Sequence, residues 1–163
     1  MTPQRRNYDK PSAGITIGKI VFYAVAACVV AVWFRIGWVL WYPYKPLIVH
    51  GPQKILNEGK KVAAGGMVVL ESHFTKNTAA TAQVSRQFVN KFVYYVTPYT
   101  ATLPPSKSKT IQVEVPVPIH AVPGPCRLYT TYTYRVSDFP EKDVTVPAWS
   151  EWFEIVPPDG GDK

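Results

Sequence analysis

Three histidines, two cysteines and 11 carboxylates are the groups in this chain best able to bind a metal, attack an electrophile or move a proton. Imidazoles serve as metal ligands and as acid–base groups near neutral pH. The spacing of His50, His73 and His120 gives no pair with ligand separation. Each reads as a surface or half-buried polar residue, in a strand end, a strand and a loop respectively. Cys126 opens a strand and reads as a small buried hydrophobe, not a reactive thiol. The carboxylates are dispersed, and no acid pair stands out for proton transfer. No serine has the context of a nucleophile elbow. Gly65-Gly66 is a plain turn and Gly160-Gly161 lies in the C-terminal tail, so no glycine-rich loop cradles a phosphate. These residues predict no enzyme, no cofactor and no metal.

Binding chemistry is better supplied. Tyr94, Tyr95, Tyr99, Tyr129, Tyr132 and Tyr134 are many aromatics for a small domain. Tyrosine is favoured where one side of a ring packs and the hydroxyl meets water or a partner. Alternation along the strand around Tyr129 puts Arg127, Tyr129 and Arg135 on its outward side, a candidate contact face for a protein partner. The net charge is +7, with 18 basic residues. They are scattered without a dense block in the second half, so no nucleic-acid partner is expected.

The stretch that must position this domain is Ile20 to Tyr42, apolar throughout but for Arg35. It supplies the roughly 20 residues that a helix needs to cross a bilayer. The lipid bilayer is therefore the first expected partner. Arg35 lies near the C-terminal end of the stretch, where its stem can reach the interface. Trp33, Trp38, Trp41, Tyr42 and Tyr44 surround it in the manner of an interfacial aromatic belt. An alternative pairs Arg35 with an acid on another membrane helix. No small-residue cleavage site follows the run, which favours an uncleaved anchor over a signal peptide. Val25-Ala26-Ala27-Cys28 has the form of a lipidation box, but the apolar run continues after Cys28, which argues against lipidation. Residues 1–19 read as a basic, mostly disordered tail in which Pro3, Pro11 and Gly14 oppose a long helix. Arg5, Arg6, Lys10 and Lys19 place that tail in the cytoplasm and the remainder outside it. Gly14/Gly18 and Ala27/Ala31 have the spacing that lets membrane helices approach, so a homo-oligomer is the weaker expectation.

Residues 43–156 read as one mainly β domain, followed by a flexible tail over 157–163. Sixteen prolines punctuate the chain. Strands are expected at Leu47–His50, Met67–Thr75, within Thr78–Val89, at Phe92–Thr97 and through the alternating run that holds Ile111, Val113, Val115 and Val117. A Pro-Gly turn then opens a long strand with Cys126, Leu128, Thr130, Tyr132, Tyr134 and Val136 inward. The last stretch is expected to place Trp149, Phe153 and Ile155 on one face. Seven or eight short strands with regular turn signals predict an antiparallel β-sandwich.

The run P-G-P-C-R-L-Y-T-T-Y-T-Y-R-V over residues 123–136 resembles the late strands of immunoglobulin-like and fibronectin-like domains, with Cys126 in the position usually held by an aromatic residue. The pattern covers residues 46–156 and the motif about 15 of them. The resemblance implies an immunoglobulin-like fold and assigns no function. The arrangement of basic tail, single span and one such domain is also similar to small envelope proteins of phages and prophages. The expectation is a single-pass membrane protein acting by protein–protein contact in an envelope or virion. The alternatives are an accessory subunit of a membrane complex and a ligand- or glycan-binding module.

Overall fold

The structure, a computed structural model, describes residues 13–158, with side chains from residue 17 onward. The chain divides into two compact units, Met1–Tyr42 and Pro43–Lys163.

In the first unit, helix α1 runs from Ala13 to Trp41. It begins seven residues before the apolar stretch predicted from Ile20, so the segment 13–19 is helical, not part of an irregular tail. Gly14 and Gly18 cost a helix about 1 kcal/mol each relative to alanine. The apolar residues between and beyond them continue the same helical run. Arg5, Arg6 and Lys10 lie outside the described residues. Within α1, Ile17–Trp41 is 25 residues of mean hydropathy 2.2, long and apolar enough to cross a membrane.

The second unit is mainly β. Its strands are β1 (Leu47–Val49), β2 (Lys54–Ile55), β3 (Lys61–Ala63), β4 (Met67–Lys76), β5 (Ala82–Val89), β6 (Val93–Ala101), β7 (Ser106–Pro116), β8 (Gly124–Asp138), β9 (Glu141–Trp149) and β10 (Phe153–Val156). In the first sheet β4 is central. β7 pairs along its length, while β1 and β2 pair in succession along the opposite edge. In the second sheet β8 is central. β5 pairs on one side and carries β6 beyond it, while β9 and β10 pair in succession on the other.

Not every pairing is antiparallel, as the sequence led us to expect. β3 runs parallel to β10, and Gln53 forms a parallel bridge with Ser150. The chain crosses from the first sheet to the second after β2 and covers the edge that β10 would otherwise expose. Alternation of apolar residues fixes which face a strand buries and is silent about the direction of its neighbour. The sheets are thus mixed and curl toward a half-barrel.

Burial follows the predicted alternation in most strands. Val68, Leu70 and Phe74 of β4, Val84 and Phe88 of β5, Val115 of β7 and Leu128 of β8 are all buried. They fall into two apolar clusters. One is built around Leu70, Phe88, Leu128, Phe153 and Ile155. The other is built around Leu47, Phe74, Val84 and Tyr134. Of the buried polar residues, Ser72, Arg86 and Thr130 lie on strands that carry these clusters, and Gln53 immediately precedes β2. Gln53 Nε2 donates to Ser72 Oγ at 2.8 Å and to Tyr132 OH at 3.2 Å, and Thr130 Oγ1 donates to Gln53 Oε1 at 3.2 Å. Burying such groups is tolerable because the network satisfies most of them. Arg86 is the exception, since its Nε is buried without a partner.

Trp149 departs from its predicted place. It is 40% exposed, whereas Phe153 and Ile155 are buried. Trp149 is opposite Tyr129 and Phe153 is opposite Cys126, so four steps along β9–β10 match three along β8. The extra residue is a bulge at Ser150–Trp152, and one inserted residue moves the next side chain to the other face. Ser150 pins the bulge. Its N–H donates to Leu128 O at 2.9 Å, and its hydroxyl accepts from Leu128 N–H at 2.8 Å.

Candidate contact face and its surroundings

The outward side of the second sheet carries the residues that sequence alternation singled out. Register aligns Tyr95 with Gln87, Gln87 with Tyr129, and Tyr129 with Trp149, giving one row across β6, β5, β8 and β9. The Tyr129 and Trp149 rings meet at 4.4 Å between centroids. Arg127 lies against this row. Its guanidinium is 5.1 Å from the Trp149 ring and 5.2 Å from the Trp152 ring, and its Nε donates to Ser150 O at 3.1 Å. A guanidinium is more weakly hydrated than an ammonium, so it can lie against two indoles at a lower desolvation cost than a lysine would. Trp152 is 60% exposed and lines two hollows, of about 280 Å³ and 340 Å³.

Arg127 and Tyr129 therefore come together, but Arg135 does not join them. Eight residues along β8 separate it from Arg127, about 26 Å at 3.3 Å per residue. It is engaged by Asp143 at 3.1 Å and by Glu141 across the β8–β9 turn. These carboxylates hold the Arg135 guanidinium above its ordinary range, the hydrogen bond to Asp143 being the largest cause. The sequence reading missed Trp152 and the role of Trp149, because the bulge that turns Trp149 outward has no signature in apolar periodicity.

In the helical unit, Phe34, Trp38 and Tyr42 stack in turn, at 6.3 Å and 5.2 Å between centroids. Trp33 and Trp41 are exposed, as are Arg35 and Lys19. Tyr44 belongs to the β unit, where Lys142 Nζ lies 5.0 Å from its ring.

Three sets of titratable groups in the β unit bear on its chemistry. Cys126 is fully buried, and burial pushes its thiol up to about 11, away from thiolate reactivity. Lys76 is buried, with Nζ donating to Ala80 O at 2.9 Å and to Leu103 O, and desolvation lowers its pKa. His50 and His73, taken from the sequence as isolated, are neighbours with ring centroids 5.2 Å apart. Among the described residues, no group of three or more His, Cys, Asp or Glu is disposed to hold a metal ion.

No protein-family model matches the chain, and no curated protein matches it. Among solved structures it is similar to Pseudomonas fluorescens alkylpurine DNA glycosylase AlkC bound to DNA containing an abasic site analog, at TM-score 0.36 and 10% identity. The likeness covers 68% of this chain and spans 30% of that one. That neighbour is an enzyme, against the sequence-based expectation that this chain is no enzyme, and that expectation is withdrawn. A likeness this distant assigns the chain no glycosylase chemistry and carries no argument about its partners.

Proposed function

We propose that the chain is a single-pass membrane protein that presents an immunoglobulin-like domain outside the cytoplasm and acts by contact with another protein of an envelope or virion. The observation that carries this reading is the aromatic row Tyr95–Gln87–Tyr129–Trp149 with Arg127 held between two indoles. Aromatic and arginine side chains that are already ordered bind at low entropic cost, and such groups dominate interface energies. The order of strand pairings supports the immunoglobulin-like part of the reading: β4 with β7, β5 with β8, β8 with β9 and β10, and an early strand running parallel to the last. The 25-residue apolar segment supports the membrane anchor, and the four basic residues Arg5, Arg6, Lys10 and Lys19 support a cytoplasmic N-terminus.

The test is photocrosslinking in the native membrane from position 129 or 149 of the full-length chain, read by mass spectrometry. One dominant partner, lost on Trp149→Ala, is the expected result. Equal labelling from position 112, on the outer side of the other sheet, would remove the assignment of this face. A second reading, an accessory subunit held through its helix, is favoured by the exposed Arg35 within α1. Arg35→Leu should then abolish assembly, whereas the contact-face reading leaves it unchanged.

A further inference from the structure

His50 follows β1 and His73 lies in β4, and the His50 N–H donates to the His73 carbonyl at 2.9 Å. His73 alternates with the buried Ser72 and Phe74 and points outward from the first sheet, as the exposed His50 does. Both rings border a hollow of about 180 Å³ that Glu71, Lys54, Pro52 and Thr110 complete. Two imidazoles on one tetrahedral ion, with metal–nitrogen bonds of about 2.0–2.1 Å, hold their ring centroids about 5 Å apart. The two centroids here are 5.2 Å apart.

The hydrogen bonds decide which nitrogen of His50 is free to bind and are compatible with either tautomer of His73. Thr75 Oγ1 donates its only proton to Lys107 O at 2.6 Å. It can therefore only accept from His50 Nε2, at 2.8 Å, which makes Nε2 the protonated nitrogen of the neutral ring. The lone pair of His50 is on Nδ1. His73 Nε2 lies 3.3 Å from Ser108 Oγ, and its Nδ1 lies 3.0 Å from Thr110 Oγ1 on the hollow side. With Nε2–H donating to Ser108, His73 Nδ1 also carries a lone pair, which Thr110 now satisfies and which can be exchanged for a metal bond. Each ring would then ligate through Nδ1 while its other N–H rests on a hydroxyl, the arrangement that orients ligating histidines.

We propose that His50 and His73 form a two-imidazole chelating site for a borderline divalent transition-metal ion, Cu²⁺ or Zn²⁺, on the outer face of the first sheet. Imidazole donors suit these ions above Mg²⁺ or Ca²⁺. Water completes the coordination. Glu71, two residues before His73 on the same side of β4, adds negative charge at the rim, offset by Lys54 opposite it in register.

The test uses the full-length chain without an affinity tag, in detergent micelles at neutral pH. It is titrated with Cu²⁺ under electron paramagnetic resonance and with Zn²⁺ under calorimetry. One ion per chain with hyperfine structure from two imidazole nitrogens is expected. His50→Gln and His73→Gln should each weaken binding by about tenfold or more and remove the two-nitrogen signature, whereas His120→Gln leaves both unchanged. Unaltered far-ultraviolet circular dichroism would establish that each variant is folded. A two-nitrogen spectrum that survives His50→Gln with His73→Gln, or a wild-type chain binding no ion through two nitrogens, would overturn the proposal.

Discussion

At the scale of single residues, buried polar groups set the chain's response to its surroundings. The Cys126 thiol is pushed from 9.0 up to about 11, and the Tyr134 hydroxyl from 10.0 up to about 12, both first by burial. Burial also raises Tyr132, partly opposed by Arg86. Each folded value lies above its unfolded one, so these groups contribute full stability below pH 9 and lose it as pH rises through the folded values. The part of the unfolding free energy due to these groups should be flat from pH 7 to 9 and fall above it, by roughly 2 kcal/mol at pH 11 for Cys126 alone, while the lowered pKa of Lys76 acts in the opposite sense. Cys126→Ala should flatten that component, and an unchanged slope would show that the thiol is not its source. Arg86 offers the opposite case. It is buried, hydrogen bonds to Tyr132 and lies 5.1 Å from the Tyr99 ring, yet its Nε has no partner. A buried cation without a carboxylate costs more in desolvation than such contacts return. Arg86→Met should raise stability by about 1–2 kcal/mol in urea unfolding. A loss of similar size would mean that the guanidinium holds the polar network together. Alternation placed position 86 inward between Val84 and Phe88, but an arginine in that register carries no sign that it will be buried.

At the scale of elements, β8 joins core and surface. Its inward residues Cys126, Leu128 and Thr130 are wholly buried, and Tyr134 nearly so, while Arg127 and Tyr129 look outward. Phe88 of β5 meets Phe153 of β10 edge to face at 6.2 Å beneath it. Phe88→Ala should cost 3–5 kcal/mol, about the range for a buried phenylalanine, measured by thermal or denaturant unfolding. Trp149→Ala should alter stability little, because the ring is partly exposed, but it should cost partner binding about 2 kcal/mol or more if this row is a hot spot. Arg135→Ala removes only exposed ion pairs across the β8–β9 turn, so unfolding midpoints at low and high salt should coincide with those of the parent. The bulge at Ser150–Trp152 separates these outcomes, since it sends Trp149 to the contact face and Phe153 to the core.

At the scale of the whole molecule, the two units differ in how they dispose of their apolar surface. The helix exposes Ile20, Phe22, Val30, Trp33 and Phe34 along its length, whereas the β unit buries its own apolar clusters. Residues 46–163 alone should give a β-type circular dichroism spectrum with a cooperative melt, and the full-length chain should require detergent. A helical or unfolded spectrum from the fragment would refute the independence of the β unit. Composition and periodicity by themselves determined the apolar helix, the mainly β domain and the inward faces of β4, β5, β7 and β8. A long, predominantly apolar run and a period of two are local properties readable from the chain itself. The parallel course of β3 beside β10, the outward turn of Trp149, the closure of Trp149 and Trp152 on Arg127, and the meeting of His50 with His73 were decided only by the tertiary structure. Each depends on which strands become neighbours and in what register, and pairing between distant segments leaves no periodic trace in the segments themselves.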